Sequence, residues 1–411
     1  MDVVRLSRYA PETPWPEDYE LIDKLTTANL VWHARGRRPS NADLRIGEAS
    51  RVCLTRTLPL IRSMLRTLEF DALLVPGGVY GTSGLFLLAG RQMGLRVATI
   101  DCDFGVAQVC TDGIAAQCAD IPRAFAEMLE ASESVRAEAI DVARGELKLR
   151  TEARDRGGFQ AVGSGRQPVG DEEVLIPLNI EWDTAALGRH HIFEDTADWI
   201  TSTVVHVLEH GSHRVAIRVH PHERRLLQHS AFNVEAIVRQ VVGEDPRVRF
   251  IAADEPVNTY DLLEAARVVL PFVSTIGIEA AALGKTVLIS GRSYYADLGF
   301  VWSARSRRQY FYLLEQALRG ELPPKRDQVD RAWLCYYLTA VANRVWTEFT
   351  PHPTDFWRWC QRSPAALLED ETVQHILTAI DRNVPLALVR HWWRANQSNS
   401  SGNRRMGWSH S

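Results

Sequence analysis

Residues 268–300 read VVLPFVSTIGIEAAALGKTVLISGRSYYADLGF. Val268-Val269-Leu270 is a short apolar run of the kind that forms a buried parallel strand. Ser274-Thr275-Ile276-Gly277 then places two hydroxyls and a glycine where a helix starts. Residues 278–283 read as that helix, with Ala280, Ala281 and Ala282 permitting close packing, and Gly284 marks its stop. Residues 286–290 form a second β-rich run, and Gly291 opens a loop carrying Tyr294, Tyr295 and Gly299. Strand, hydroxyl-rich turn, helix, strand and loop follow one another. In a parallel sheet such turns lie at the carboxyl ends of strands, where helix N-termini favour anions. The stretch therefore reads as a cradle for the phosphate or diphosphate of a nucleotide.

Working outward toward the N-terminus, the same alternation recurs. Residues 248–251 (strand) and 258–266 (helix) lead into this stretch. Before them, residues 214–219 form a strand ending in Arg218-Val219-His220-Pro221-His222-Glu223. Arg218 and His220 at a strand end, with Pro221 behind them, can present two donors to a phosphate or carboxylate. Residues 173–177 are a further strand, followed by the carboxylate-bearing loop Leu178–Thr184 and a helix over 194–210. Alternating β and α elements make a parallel sheet covered by helices.

The N-terminal half holds another such unit. A helix is predicted over 16–34, and an amphipathic helix over 44–68 that Pro59 should kink or interrupt. Residues 70–75 form a strand, 76–84 (PGGVYGTSG) a glycine-rich loop, 85–93 a helix and 96–100 a strand. The loop matches neither GxGxxG nor the P-loop. Two readings of Gly77, Gly78 and Tyr80 stand: an acceptor-side loop approached by ligand, or a tight strand-to-helix turn. Asp101-Cys102-Asp103 after the strand resembles a DxD motif, whose carboxylates can converge on a cation or simply cap a turn. Residues 121–151 are helical, and 152–171 are polar, glycine-rich and aperiodic, as a linker is. Beyond residue 300 no strand is expected. Helices are predicted over 309–318, 333–349, 356–362 and 373–380, their many Trp and Tyr residues packing in the core, and 395–411 reads as disordered.

Composition excludes several function classes. The chain has 411 residues, enough for two cores, with 45% hydrophobic and 24% charged residues. A formal net charge of −4 argues against bulk binding of nucleic acid. No run suits a membrane span, no signal peptide is evident, and a cytoplasmic location is expected. Cys102, Cys110 and Cys118 stand eight residues apart; without any CxxC pair they read as free thiols, and no metal or cofactor is expected. The expected domains are 1–172, 173–330, a helical segment 331–394 packing across both, and a tail 395–411.

His220-Pro221, Thr259-Tyr260-Asp261-Leu262-Leu263, Ser274-Thr275-x-Gly277-x-Glu279-Ala280, Gly284-Lys285-x-Val287 and Gly291-x-x-x-Tyr295 together resemble the capsule polysaccharide biosynthesis proteins, sugar transferases that include Kdo-transferring relatives. The resemblance covers residues 174–300 and extends only loosely to 70–105. It implies a GT-B-like α/β fold, two Rossmann-like domains facing a cleft, with the donor on the C-terminal domain and the acceptor on the N-terminal one. By position it makes Asp183 the catalytic carboxylate, with Asp103 and Asp101 as the other choices. Asn179 and Trp182 stand where the Kdo-transferring relatives carry glutamine and glycine, so the resemblance implies a hexosyl- or Kdo-type transferase with the donor unassigned. Arg218, His220, Ser274, Thr275, Gly277, Glu279 and Tyr295 become the expected donor contacts. The expected substrates are a UDP-, CMP- or GDP-linked sugar and a hydroxyl acceptor, joined without a metal. Two other readings are a non-hydrolysing sugar-nucleotide epimerase and a non-catalytic partner in a glycan assembly complex.

Overall fold

The structure is a computed structural model that describes residues 4–103, 106–154, 170, 173–225, 229–231, 233–322, 325, 327–346 and 363–391. Most of the expected linker, the helix expected over 356–362 and the expected tail lie outside the described residues.

Among the described residues ten strands form two sheets. The first has the order β1 (Ala72–Pro76), β2 (Arg96–Asp103), β3 (Val106–Cys110), β10 (Arg344–Trp346). β1 and β2 are parallel and joined by the helix Gly81–Gln92, while β3 and β10 add on antiparallel. The second sheet is parallel throughout, in the order β6 (Val248–Ile251), β5 (Val215–Arg218), β4 (Val174–Pro177), β7 (Val268–Val269), β8 (Thr286–Ile289), β9 (Trp302–Ser303). Strands β4, β5 and β7 are buried along their whole length, which is why they read as unbroken apolar runs. The expected plan of two α/β sheets facing a cleft, with a helical C-terminal segment, is the one observed.

Several elements differ from expectation. The helix Asn41–Leu68 runs through Pro59 without interruption. Leu54, Leu58, Ile61 and Leu65 are buried on both sides of the proline, and a reciprocal Ser40–Asp43 capping box fixes the helix start, so packing outweighs the missing N–H. Arg62 on this helix is fully buried and donates to both oxygens of Asp18, at 2.7 and 2.8 Å. The helical stretch 121–151 is two helices, Ile121–Glu130 and Glu133–Thr151, the second capped by Ser132. Helix Gln328–Tyr336 continues as a π-turn, Tyr337–Ala342, and gives way to β10 at a point where helix was expected. β-branched Val345 pairs with Ala107 and is fully buried, so the sheet edge captures the backbone.

The cores do not divide at residue 172. Phe125, Ala139, Ala143 and Leu147, N-terminal to that point, share a core with β4, β5, β7 and β8 and with Trp333 and Tyr336. Conversely Val345, Ile376, Ala379, Leu386 and Val389 pack on Ala98, Ala107 and Val109 of the first sheet. The C-terminal segment thus crosses both sheets. A second tie joins the halves: the Arg35 guanidinium lies 4.5 Å from the ring of Trp32 and 4.3 Å from that of Trp182. The Ala231 N–H also donates to the Arg35 carbonyl at 2.9 Å. No helix among the described residues is long and apolar enough to cross a membrane.

Candidate active site

The carboxyl ends of strands from both sheets open onto one cleft of about 810 Å³. The first sheet contributes Tyr80, after β1, and Asp101, near the end of β2. The second contributes Asn179 to Asp183 after β4, His220 after β5, Ser274 and Thr275 after β7, and Arg292 to Tyr294 after β8. The helix Glu133–Thr151 adds Glu146 and Arg150, and the C-terminal segment adds Tyr336, Thr339 and Arg344. A parallel sheet places loops in this way because every strand ends on the same side.

The cleft lining includes a carboxylate from each sheet, Asp183 and Asp101. Asp183 is exposed on a turn that its own backbone closes: its N–H bonds the Ile180 carbonyl at 3.1 Å and its carbonyl accepts from Ala186 at 3.0 Å. Its Oδ1 accepts from the Ala185 N–H at 3.3 Å. Asp101 is half-buried, and burial raises its pKa above the ordinary carboxylate value, which makes it the stronger base of its type. Gln108 Nε2 donates to it at 3.3 Å. The Asp103 side chain lies outside the described residues. Between the two sheets the Tyr80 hydroxyl donates to the Trp182 carbonyl at 2.9 Å, and burial raises its pKa.

His220, after β5, also lines the cleft; its Nδ1 accepts from the His222 N–H at 3.1 Å, so the neutral ring carries its proton on Nε2. Burial, with His222, Arg150 and Arg218 nearby, lowers its pKa to about 3. His220 is therefore a neutral donor throughout the physiological range. The folded state keeps this ring neutral while the unfolded chain protonates it below about pH 6.5, so stability falls as the solution is acidified from there toward pH 3. The slope approaches about 1.4 kcal/mol per pH unit. Urea unfolding between pH 4 and 7 measures it: His220→Asn should flatten the slope relative to wild type, and equal slopes would disprove the buried neutral imidazole.

The Ser274-Thr275 turn lies in the cleft, as the sequence predicts. The helix that follows, Ile276–Ala282, is short, and the N–H groups of Gly277, Ile278 and Glu279 already bond the carbonyls of Ser274 and Thr275. The turn therefore offers hydroxyls and fewer free amides than a long helix start would. Asn179 Oδ1 accepts from the Val273 N–H at 3.4 Å and joins this turn to the Asp183 loop.

Four of the expected donor contacts stand beneath the cleft floor and not in it. The buried Arg218 guanidinium donates to the carbonyls of Ala252 and Val257, tying β5 to the loop after β6. Tyr295 is fully buried and donates to the Ser274 carbonyl at 2.6 Å, bracing the turn from below. Gly277 makes room for that hydroxyl, since a Cβ there would lie 2.4 Å from Tyr295 Oη. Glu279, only 1% exposed, accepts from Tyr260 Oη at 2.8 Å and lies 3.4 Å from Arg150 Nη1. Their expected direct contacts are corrected to support of the residues above them. Gly77 and Gly78 both have positive φ, and Gly77 N–H bonds the Ile100 carbonyl at 2.8 Å. A Cβ on Gly78 would press on Leu87, Thr99 and Ile114. The tight-turn reading fits these two glycines, while Tyr80 alone of the three reaches the cleft.

Sequence reasoning missed the cleft's arginines. Arg150, Arg154, Arg189, Arg292 and Arg344 line it against three carboxylates, Asp101, Glu146 and Asp183. The cleft is thus cationic in a chain of net negative charge. Arg189 donates to neutral Gln117, its carbonyl accepts from the Arg292 N–H at 2.9 Å, and burial lowers its pKa. Among the described residues neither Arg189 nor Arg292 has a carboxylate partner within ion-pair distance. Arg150 ends a helix whose arginines look solvated in sequence; only the approach of Glu279 from the second sheet distinguishes it.

Residues 138–311 match the family model described as "Capsule polysaccharide biosynthesis protein". No curated protein matches the chain significantly. Among solved structures it is similar to the Thermosulfurimonas dismutans KpsC β-Kdo 2,4 transferase, with 17% identity, 65% of this chain and 79% of that chain covered, and a TM-score of 0.39. The KpsC β-Kdo 2,7 transferase of the same organism gives 16%, 75%, 90% and 0.43. The UDP-GlcNAc 2-epimerase from Neisseria meningitidis bound to UDP-GlcNAc gives 13%, 78%, 93% and 0.33. Likenesses this distant do not separate transferase from epimerase.

Proposed function

We propose that this chain, whose residues 138–311 carry the capsule polysaccharide biosynthesis signature, is a glycosyltransferase that moves a sugar from a UDP-, CMP- or GDP-linked donor to a hydroxyl acceptor. The observation carrying this reading is one arginine-rich cleft lined by carboxylates from both sheets and by a neutral histidine. Asp183 removes the acceptor proton as the acceptor oxygen bonds to the anomeric carbon. The bond from that carbon to the phosphate oxygen breaks, and the electron pair leaves with the phosphate. His220 Nε2–H, Arg150 and the hydroxyls of Ser274 and Thr275 stabilise the developing charge. Tyr80 and Asp101 face the acceptor. These protein donors supply the charge compensation that a metal supplies elsewhere, so the proposed reaction is metal-independent.

Incubation with each nucleotide sugar and an oligosaccharide acceptor tests the assignment, with nucleotide release expected only when both are present. Inversion of a sugar centre without acceptor would instead establish an epimerase. Absence of turnover and of any thermal stabilisation by nucleotides would leave a scaffold protein. Loss of transfer in chelator, restored by Mn²⁺, would assign a catalytic metal to Asp101 and Asp103.

A further inference from the structure

Away from the cleft, the helix Thr196–Glu209 carries His206 in its last turn and His210 as its C-terminal cap. One helical turn apart, the two rings stack with centroids 3.9 Å apart. The helix Arg307–Leu318 brings Glu315 opposite them, with Oε1 3.3 Å from His206 Nε2 and 3.9 Å from His210 Nε2. All three ligand atoms lie within 4.8 Å of one another.

The hydrogen bonds around this cluster leave one position unfilled. His210 Nδ1 lies 2.8 Å from the His206 carbonyl, which can only accept, so Nδ1 carries the proton and Nε2 presents a lone pair. That lone pair faces a carboxylate oxygen. His206 Nε2 is buried and makes no hydrogen bond among the described residues. A cation between these two acceptors and the buried ring nitrogen satisfies all three. Arg319 donates to Glu315 Oε2 at 3.2 Å, which turns Oε1 inward, and the Phe311 ring packs 4.6 Å from His206. The C-terminal end of a helix also favours positive charge.

We propose that His206 Nε2, His210 Nε2 and Glu315 Oε1 bind a zinc ion that staples these two helices, with water as the fourth ligand. In tetrahedral coordination at about 2.0–2.1 Å, neighbouring ligand atoms stand roughly 3.3–3.4 Å apart. The His206–Glu315 spacing meets this, and His210, with 42% of its side chain exposed, closes the remainder by a small rotation. None of the three residues lines the cleft, so the ion is structural.

Tag-free full-length protein, stripped with chelator and dialysed, is titrated with Zn²⁺ against a chromophoric chelator, and separately with Co²⁺ followed by absorbance. One equivalent is expected, with tetrahedral Co²⁺ bands and a raised Tm at saturation. His210→Gln and Glu315→Gln, both at partly exposed positions, should each weaken Zn²⁺ binding by about tenfold or more. They should leave glycosyl transfer by the metal-loaded protein unchanged. Absence of Zn²⁺ binding, or binding equally tight in both variants, would overturn the site and assign a proton to the gap. The readout is metal binding, so it is independent of the transferase assignment.

Discussion

Asp183→Asn should lower the rate of sugar transfer by about 10²–10⁴-fold while nucleotide affinity and stability stay at wild-type values. The asparagine keeps an oxygen for the Ala185 N–H, so the turn is retained and only the proton acceptor is lost. Asp101→Asn is the matched comparison. Burial raises the pKa of its carboxyl, but it sits on the first sheet beside Gln108, away from the loop that Asn179 ties to the phosphate turn. A large loss in Asp101→Asn with Asp183→Asn near wild type would move the base to the first sheet. Comparable small effects in both would remove general-base catalysis from either residue.

Glu279→Ala should cost about 3–5 kcal/mol of stability, because it deletes a buried carboxylate that faces a guanidinium and accepts a tyrosine hydroxyl. Glu279→Gln retains an acceptor for Tyr260 and loses only charge, so its cost should be about 1–3 kcal/mol. Both should also weaken nucleotide binding severalfold, since Arg150 is no longer held toward the cleft. Urea denaturation and calorimetric nucleotide titration check the two effects separately. A Glu279→Ala protein within about 1 kcal/mol of wild type would show that the pair is not what holds the floor. Unchanged nucleotide affinity in both variants would remove Arg150 from the donor site.

In the second sheet β4 to β8 were legible in the sequence, as apolar runs punctuated by Gly284, Gly291 and His220-Pro221, whereas β9 (Trp302–Ser303), two residues long and half-buried, stands where no strand was expected. The Ser274-Thr275 turn and the Asp183 loop both line the cleft because loops after parallel strands share one side. Direction within the site was not legible. Arg218, Glu279 and Tyr295 each adjoin a cleft loop in sequence, yet their side chains turn away from the cleft lining to Ala252, Arg150 and Ser274. A one-dimensional pattern shows which residues adjoin a loop and not the face of it on which they pack. The first sheet was legible only in its parallel βαβ unit. β3 folds back antiparallel on its immediate neighbour β2, and β10 is a three-residue edge strand whose partner β3 lies more than half the chain away, so no local periodicity announces either.

The late position of β10 has a consequence for synthesis. β3 leaves the ribosome with one edge unpaired, and its partner is made more than half the chain later. Until then the nascent N-terminal half exposes an open strand and the apolar face that Ile376, Leu386 and Val389 eventually cover. Arrival of residues 344–389, and not completion of the first half, is the step at which that half becomes resistant to self-association.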